Sequence, residues 1–232
     1  MKVLMVVVSG GPDPIYREHK KAWVENRHPQ VTSVFIEYTP DVEEIMLVDD
    51  TLLLPGVESF TGMTRKTIDS IEYLLQDTSF THVIRTNLSS LWHYPRLLAY
   101  LSERPLNGLF EGVLGKSSNR PFVSGAGMYM SRDIAERLIA LKEKACAYPQ
   151  QDDVAISFAL ADDGIACGST ATRENLTSPM LFDVYVTHLH NAVPSIERHH
   201  YRLKQDGDRR VEPKLMMALL DIFRQNEAKT YQ

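Results

Sequence analysis

The chain has 232 residues, enough for one large domain with a well-buried core. Its 44% hydrophobic and 24% charged residues are ordinary for a globular protein, and a formal net charge of −5 excludes the basic excess of a general nucleic-acid binder. Two cysteines, Cys146 and Cys167, fit neither a zinc site nor a disulfide framework and read as reduced thiols; no run approaches the roughly 20 apolar residues of a membrane span, so the expected location is the cytoplasm.

Lys2–Ser9 is an apolar, β-branched run, too short for a signal-peptide core, and reads as a buried first strand ending in Ser9-Gly10-Gly11. Ile15–Asn26 places Ile15, His19, Ala22 and Trp23 on one helical face. Val31–Tyr38 alternates as a strand, and Leu47–Leu54 follows the acidic segment Asp41–Glu44. Met63, Thr67, Ile68, Ile71, Leu74 and Leu75 form one helical stripe. Thr81–Thr86 is a short strand, and Pro95 opens a helix carrying Leu97, Leu98 and Leu101. Leu109–Leu114 and the Gly-containing Phe122–Met130 are further strands, after which Ser131 caps a helix with Asp133 in its first turn. Asp152-Asp153 starts another helix that Gly164 ends. Phe182–His188 reads as a late strand, and Pro213 begins a final amphipathic helix with Leu215, Leu219, Leu220 and Phe223. Strands alternating with helices predict a single α/β domain, its mainly parallel mixed sheet flanked by helices on both faces. In such sheets ligands bind beyond the carboxyl ends of the strands. That directs attention to Ser9-Gly10, Asn87–Ser90, Ser124–Gly127 and the loop before Asp152.

Four segments, in order and in approximate register from residue 60 to about 155, carry a resemblance. Phe60-Thr61-Gly62-Met63-Thr64-Arg65-Lys66-Thr67-Ile68 resembles the "NLTLKT" helix start of the fringe and β1,3-galactosyltransferase group. His82–His93, with Arg85-Thr86-Asn87-Leu88-Ser89, resembles that group's "KTDDDxFVN" strand and turn. Pro121-Phe122-Val123-Ser124-Gly125-Ala126-Gly127-Met128-Tyr129-Met130-Ser131 resembles "PxYxSGGGYVLS", and Gln151-Asp152-Asp153-Val154 resembles the "EDV" motif. The chain is thus similar to nucleotide-sugar glycosyltransferases of the GT-A, Rossmann-like type, and to soluble bacterial or large-DNA-virus members more than to anchored animal enzymes. The resemblance implies a nucleotide-sugar-binding half over 1–115 and an acceptor-binding and catalytic half over 116–232. Its partners are then a nucleotide-sugar donor and a glycan acceptor, with no nucleic acid.

The departure lies at the acidic triplet that holds a divalent cation on the diphosphate in that group. Here it is Asn87-Leu88-Ser89, a degenerate motif. Magnesium and manganese prefer carboxylates, so the expected enzyme requires no metal, manganese or magnesium remaining an option. Asn87 offers donors and an acceptor to a ribose, and Ser89 joins it as a donor-binding residue. Cationic side chains then take the diphosphate. Arg65, Lys66 and Arg85 are donor-side candidates, although Arg85, inside a strand, also suits pairing with a buried carboxylate. The late basic run His199, His200, Arg202 and Lys204 supplies others, Arg as a fork and Lys as a point charge. His188 and His190, two apart on the expected strand, share a face where they suit a metal. A lone pair is more often structural, and His190 is carried forward as a diphosphate-neutralising residue with Arg202 and Lys204.

Asp153 matches the second acid of the "EDV" motif, which the resemblance makes the general base of an inverting transfer; the plain alternative is a helix N-terminal acid, with Asp152 the N-cap. By topology Ser9 and Gly10 meet the nucleotide base. Ser124, Gly125, Gly127 and Asp152 line the acceptor side, or else the glycines mark a tight sheet bend. Trp92 suits the core or a sugar stack. The expected activity is transfer of a sugar from a nucleotide diphosphate to a saccharide hydroxyl. Its rivals are an inactive nucleotide- or glycan-binding protein of the same fold and a nucleotidyltransferase, of whose phosphate loop Ser9-Gly10-Gly11 is a faint echo.

Overall fold

The computed structural model describes residues 1–10, 13–191 and 198–230, with backbone alone at 188–191 and 227–230. In chain order the elements are β1 (Val3–Val8), α1 (Pro14–Glu25), β2 (Val31–Thr39), β3 (Met46–Val48), β4 (Thr51–Pro55), α2 (Met63–Leu74), β5 (His82–Asn87), β6 (Ser90–Trp92), α3 (Tyr94–Ser102), β7 (Phe110–Ser117), β8 (Arg120–Ser131), α4 (Arg132–Ala140), α5 (Lys142–Cys146), α6 (Asp152–Ala161), β9 (Gly168–Ser169), β10 (Arg173–Asn175), α7 (Pro179–Asn191), β11 (His200–Arg202) and α8 (Glu212–Thr230). An eight-stranded sheet runs β3-β4-β2-β1-β5-β8-β7-β9, and a small sheet runs β10-β11-β6. The centre, β4-β2-β1-β5, is parallel, while β8 runs antiparallel to both β5 and β7. A mixed α/β sheet flanked by helices is thus the observed architecture.

The continuous apolar run of β1 has a simple cause. Val3, Met5 and Val7 enter one core with Trp23, Leu97 and Leu219, while Leu4 and Val6 enter the other with Ile68, Ile71 and Ile156. A strand covered on both faces loses the polar half of its alternation. Ser118 and Asn119, at φ 48° and 61°, link β7 to β8. Two left-handed residues suit the tight turn whose twist matches a hairpin.

Leu47–Leu54 falls in the β3–β4 hairpin, which turns at Asp49 with φ 52°. Two local expectations are corrected. Gln151, not Asp152, is the N-cap of α6. Phe182–His188 is not a strand but lies within α7. Its aromatic and β-branched residues mimic strand composition, yet Phe182, Tyr185 and Val186 pack on the core at helical spacing while Met180, Leu181 and Val184 face outward. Ser178 supports the helix start, accepting from Leu181 N at 3.3 Å through its hydroxyl. On a helix, residues two apart do not share a face. The one-face reading of His188 and His190 therefore fails, and their side chains lie outside the described residues.

The buried pair of His19 Nε2 and Glu212 Oε2, 2.8 Å apart, ties α1 to α8. Burial pushes the Glu212 carboxyl up, but hydrogen bonds from His19, Arg209 and the Gln205 amide outweigh this and hold it down to about 2. A carboxyl depressed in the folded state stabilises fully above its unfolded value near 4.5, and this stability is lost as pH falls through about 2. Glu212→Gln is expected to flatten the fall of Tm between pH 5 and 2 in a thermal-melt series, removing on the order of 3 kcal/mol of pH-dependent stability. An unchanged acid limb would show that other carboxylates govern it.

Candidate active site

The carboxyl ends of β1 and β5 open onto a cleft of about 200 Å³ lined by Ser9, Gly10, Tyr16, Asn87, Ser89, Arg202, Lys204 and Arg209. A larger hollow of about 370 Å³, lined by Trp23, Arg27, Phe35 and Asp50, lies by the amino end of β2. The cleft, not the hollow, is lined by Ser9-Gly10 and Asn87–Ser89. The small sheet closes one wall. Its β6 follows the Asn87–Ser89 turn and pairs antiparallel with β11, setting Ser90 opposite Arg202 and Trp92 opposite His200.

Arg85 organises the floor. Its guanidinium, 4% exposed, donates from Nε and Nη2 to Asp152 Oδ2 at 2.9 and 2.7 Å, and from Nη1 to Asn87 Oδ1 at 2.6 Å and to the Gly125 carbonyl. Thr67 adds a hydrogen bond to Asp152 at 3.2 Å. The strand-buried pairing is thus what Arg85 does: it ties β5, β8 and α6 together and leaves little of its fork for a ligand. Asp152 is likewise consumed within the fold.

Asp153, one residue on, is half-buried at the start of α6 and accepts from Gly125 N at 2.9 Å. Burial, with the neighbouring Asp152 adding to it, raises its pKa above the ordinary carboxylate value despite the Gly125 hydrogen bond. A carboxylate fixed by a backbone amide and made more basic by its surroundings has the attributes of a general base.

The cations divide into engaged and free. Lys66 is buried and donates to the Ser9 carbonyl at 2.9 Å and to both Glu58 oxygens at 2.8 Å. Arg65 pairs with exposed Glu143 at 2.9 Å and does not line the cleft. Ser9 also spends its hydroxyl inside the protein, donating to Glu37. Lys66 and the Ser9 hydroxyl are thus engaged inside the fold, and Arg65 in a surface ion pair. Arg209 pairs with Glu212. Arg202 lines the cleft, donates to Ser89 Oγ at 2.6 Å and has no carboxylate partner among the described residues. Burial lowers its pKa to about 10, still a cation at neutral pH. Exposed Lys204 stands beside it. His199 and His200 drop out as cations, because burial pushes His199 down to about 3 and His200 well below its ordinary value.

The glycines serve packing. A Cβ on Gly125 would lie 2.7 Å from Arg85 Nη1, and one on Gly127 2.6 Å from the His200 ring. That ring stacks on buried Trp92 at 4.1 Å, so Trp92 is core. Both glycines let the protein's own side chains approach, as at a tight bend, rather than a ligand. Ser124 is half-buried and accepts from Arg173 Nη1 at 2.9 Å. Sequence reasoning missed Arg173 and Tyr16, which sit in segments without a motif; only the folding of β10 and α1 distinguishes them.

A divalent cation does not fit this donor set. Leu88 is in the core, Asn87 Oδ1 accepts from Arg85, and the Ser89 hydroxyl accepts from Arg202. Two guanidiniums repel a metal ion and occupy the oxygens that would ligate it. Among the described residues no group of three His, Cys, Asp or Glu gathers to hold one.

No family model and no curated protein matches the chain. Solved structures do. A glycosyltransferase involved in glycosylation of the major capsid of PBCV-1 superposes with TM-score 0.56 at 10% identity, over 94% of this chain and 100% of the other. The chain has the GT-A fold. Glycosyltransferase GlyE of Streptococcus pneumoniae matches at TM-score 0.51 and 11% identity over 99% of this chain, which spans only 63% of GlyE. Galactosyltransferase LgtC, solved with donor and acceptor sugar analogs, matches at TM-score 0.50 and 8% identity over 94% and 96%. Among the described residues no helix is long and apolar enough to cross a membrane.

Proposed function

We propose that the chain is a glycosyltransferase that moves a sugar from a nucleotide-diphosphate donor to a saccharide hydroxyl, with inversion and without a metal. Two observations carry this reading: Asp153 is a carboxylate fixed by the Gly125 amide, and the cleft is lined by Arg202 and Lys204, cations with no carboxylate ion pair among the described residues. Asp153 removes the proton of the acceptor hydroxyl, whose oxygen forms a bond to the anomeric carbon. The bond from that carbon to the diphosphate breaks, and its electron pair leaves on the diphosphate oxygens facing Arg202 and Lys204. Stabilising that growing negative charge is the work a metal does elsewhere, and guanidinium and ammonium groups supply the same electrostatics. Tyr16, its ring against Gly10, offers the donor base an aromatic neighbour.

Thermal-shift screening against a panel of nucleotide sugars, followed by transfer assays with the donor that shifts Tm, tests the reading. Transfer is expected to persist in EDTA, with product NMR showing inversion. Complete loss in EDTA restored by manganese would overturn metal independence, and retention at the anomeric centre would remove Asp153 from its role. A donor that binds but is neither transferred nor hydrolysed would leave a binding protein. The nucleotidyltransferase alternative gains no observation, since the Ser9 hydroxyl is taken by Glu37.

A further inference from the structure

A second guanidinium stands outside the donor cleft. Arg173, half-buried on β10, gives Nη1 to Ser124 Oγ, while its buried Nε has no acceptor. No carboxylate pairs with it among the described residues; Glu174, next along the strand, lies 3.7 Å from Arg198, whose Nη1 also holds the Arg173 carbonyl. Beside Ser124, the groups close enough to act on its charge are the Tyr129 phenol, neutral His200 and the cation Arg202, with no carboxylate among them. A partly desolvated charge with one neutral acceptor is costly unless a counter-ion arrives. Its place is informative. Arg202 and Lys204 already serve the cleft at Asn87–Ser89, whereas Arg173 holds Ser124, the residue before the Gly125 amide that fixes Asp153. The unmet cation thus lies outside the lining of the cleft and holds the residue next to the amide that fixes the base.

We infer that Arg173 selects an acceptor sugar carrying an oxyanion, a carboxylate or a phosphate, which completes the guanidinium while Asp153 meets the reacting hydroxyl. This rests on the transferase reading above. The test uses three probes against the full chain in titration calorimetry: methyl β-D-glucuronide, glucose 6-phosphate and the neutral methyl β-D-glucoside. Transfer rates to the same three are measured with the donor found by thermal shift. One of the charged sugars is expected to bind about 10-fold or more tightly than the neutral one, as a charge-assisted hydrogen bond implies, and the tighter of the two identifies the anion. Arg173→Gln removes that preference at unchanged affinity for the glucoside, and Arg173→Lys, which keeps the charge without the fork, retains part of it. Equal affinity for charged and neutral sugars, no binding of any, or the same preference in Arg173→Gln overturns the inference. If Arg173→Gln does not fold, the wild-type preference and Arg173→Lys decide. Preference without transfer would sink the transferase reading and leave Arg173 its role; transfer without preference would do the reverse.

Discussion

Asp153→Asn is expected to lower kcat by about 10²–10⁴-fold, the usual worth of a general base, while donor affinity stays within a few-fold of wild type. The amide is nearly isosteric and its oxygen still accepts from Gly125 N, so the start of α6 keeps its geometry. What it loses is proton affinity. The acid limb of kcat/KM in the wild-type enzyme carries a second signature. Because burial raises the Asp153 pKa, the base becomes protonated, and activity falls, at a pH above the ordinary carboxylate value of 3.8. Rates across pH 3–8 with the donor saturating check this. Full turnover in Asp153→Asn would remove the base from the scheme; an acid limb below 3.8 would place another group in control.

Asp152→Ala is expected to be the most damaging single change to stability. It leaves Arg85, 4% exposed, charged and without its carboxylate, and strands the Thr67 hydroxyl. Breaking a buried pair from one side costs about 3–5 kcal/mol, and in a chain of this size each kcal/mol lowers Tm by roughly 2–4 °C, so a drop of about 6–20 °C is expected in calorimetry. The double variant Arg85→Met/Asp152→Leu separates charge from shape: it should recover most of that stability yet lose activity, because nothing then fixes Asn87 or the Gly125 carbonyl. A single variant melting like wild type would show that water reaches the guanidinium. A double variant that is both stable and active would show that the clamp positions nothing.

Local sequence chemistry determined much of this protein. The uninterrupted β1 run, the Met63–Leu75 stripe, and Pro95 and Pro213 at helix starts express preferences that act over a few residues, and these appear at or near their expected positions. That Asn87-Leu88-Ser89 carries no carboxylate and that Asp153 does was equally legible, because these are matters of residue type. Tertiary structure decided which side chains are free. Lys66, Arg65 and Asp152 look as available as Arg202 when written in a line, yet Glu58 and Glu143, partners of the two cations, stand 8 and 78 residues away, and the buried carboxylate that Arg85 suited proves to be Asp152, 67 residues on. It also made α7 a helix, since burial of Phe182 and Tyr185 on one face outweighs their strand preference. And it brought Arg173 beside Ser124 across 49 residues. Whether a charge is neutralised depends on distance through space, which folding sets; composition and spacing fix only which charges there are to neutralise.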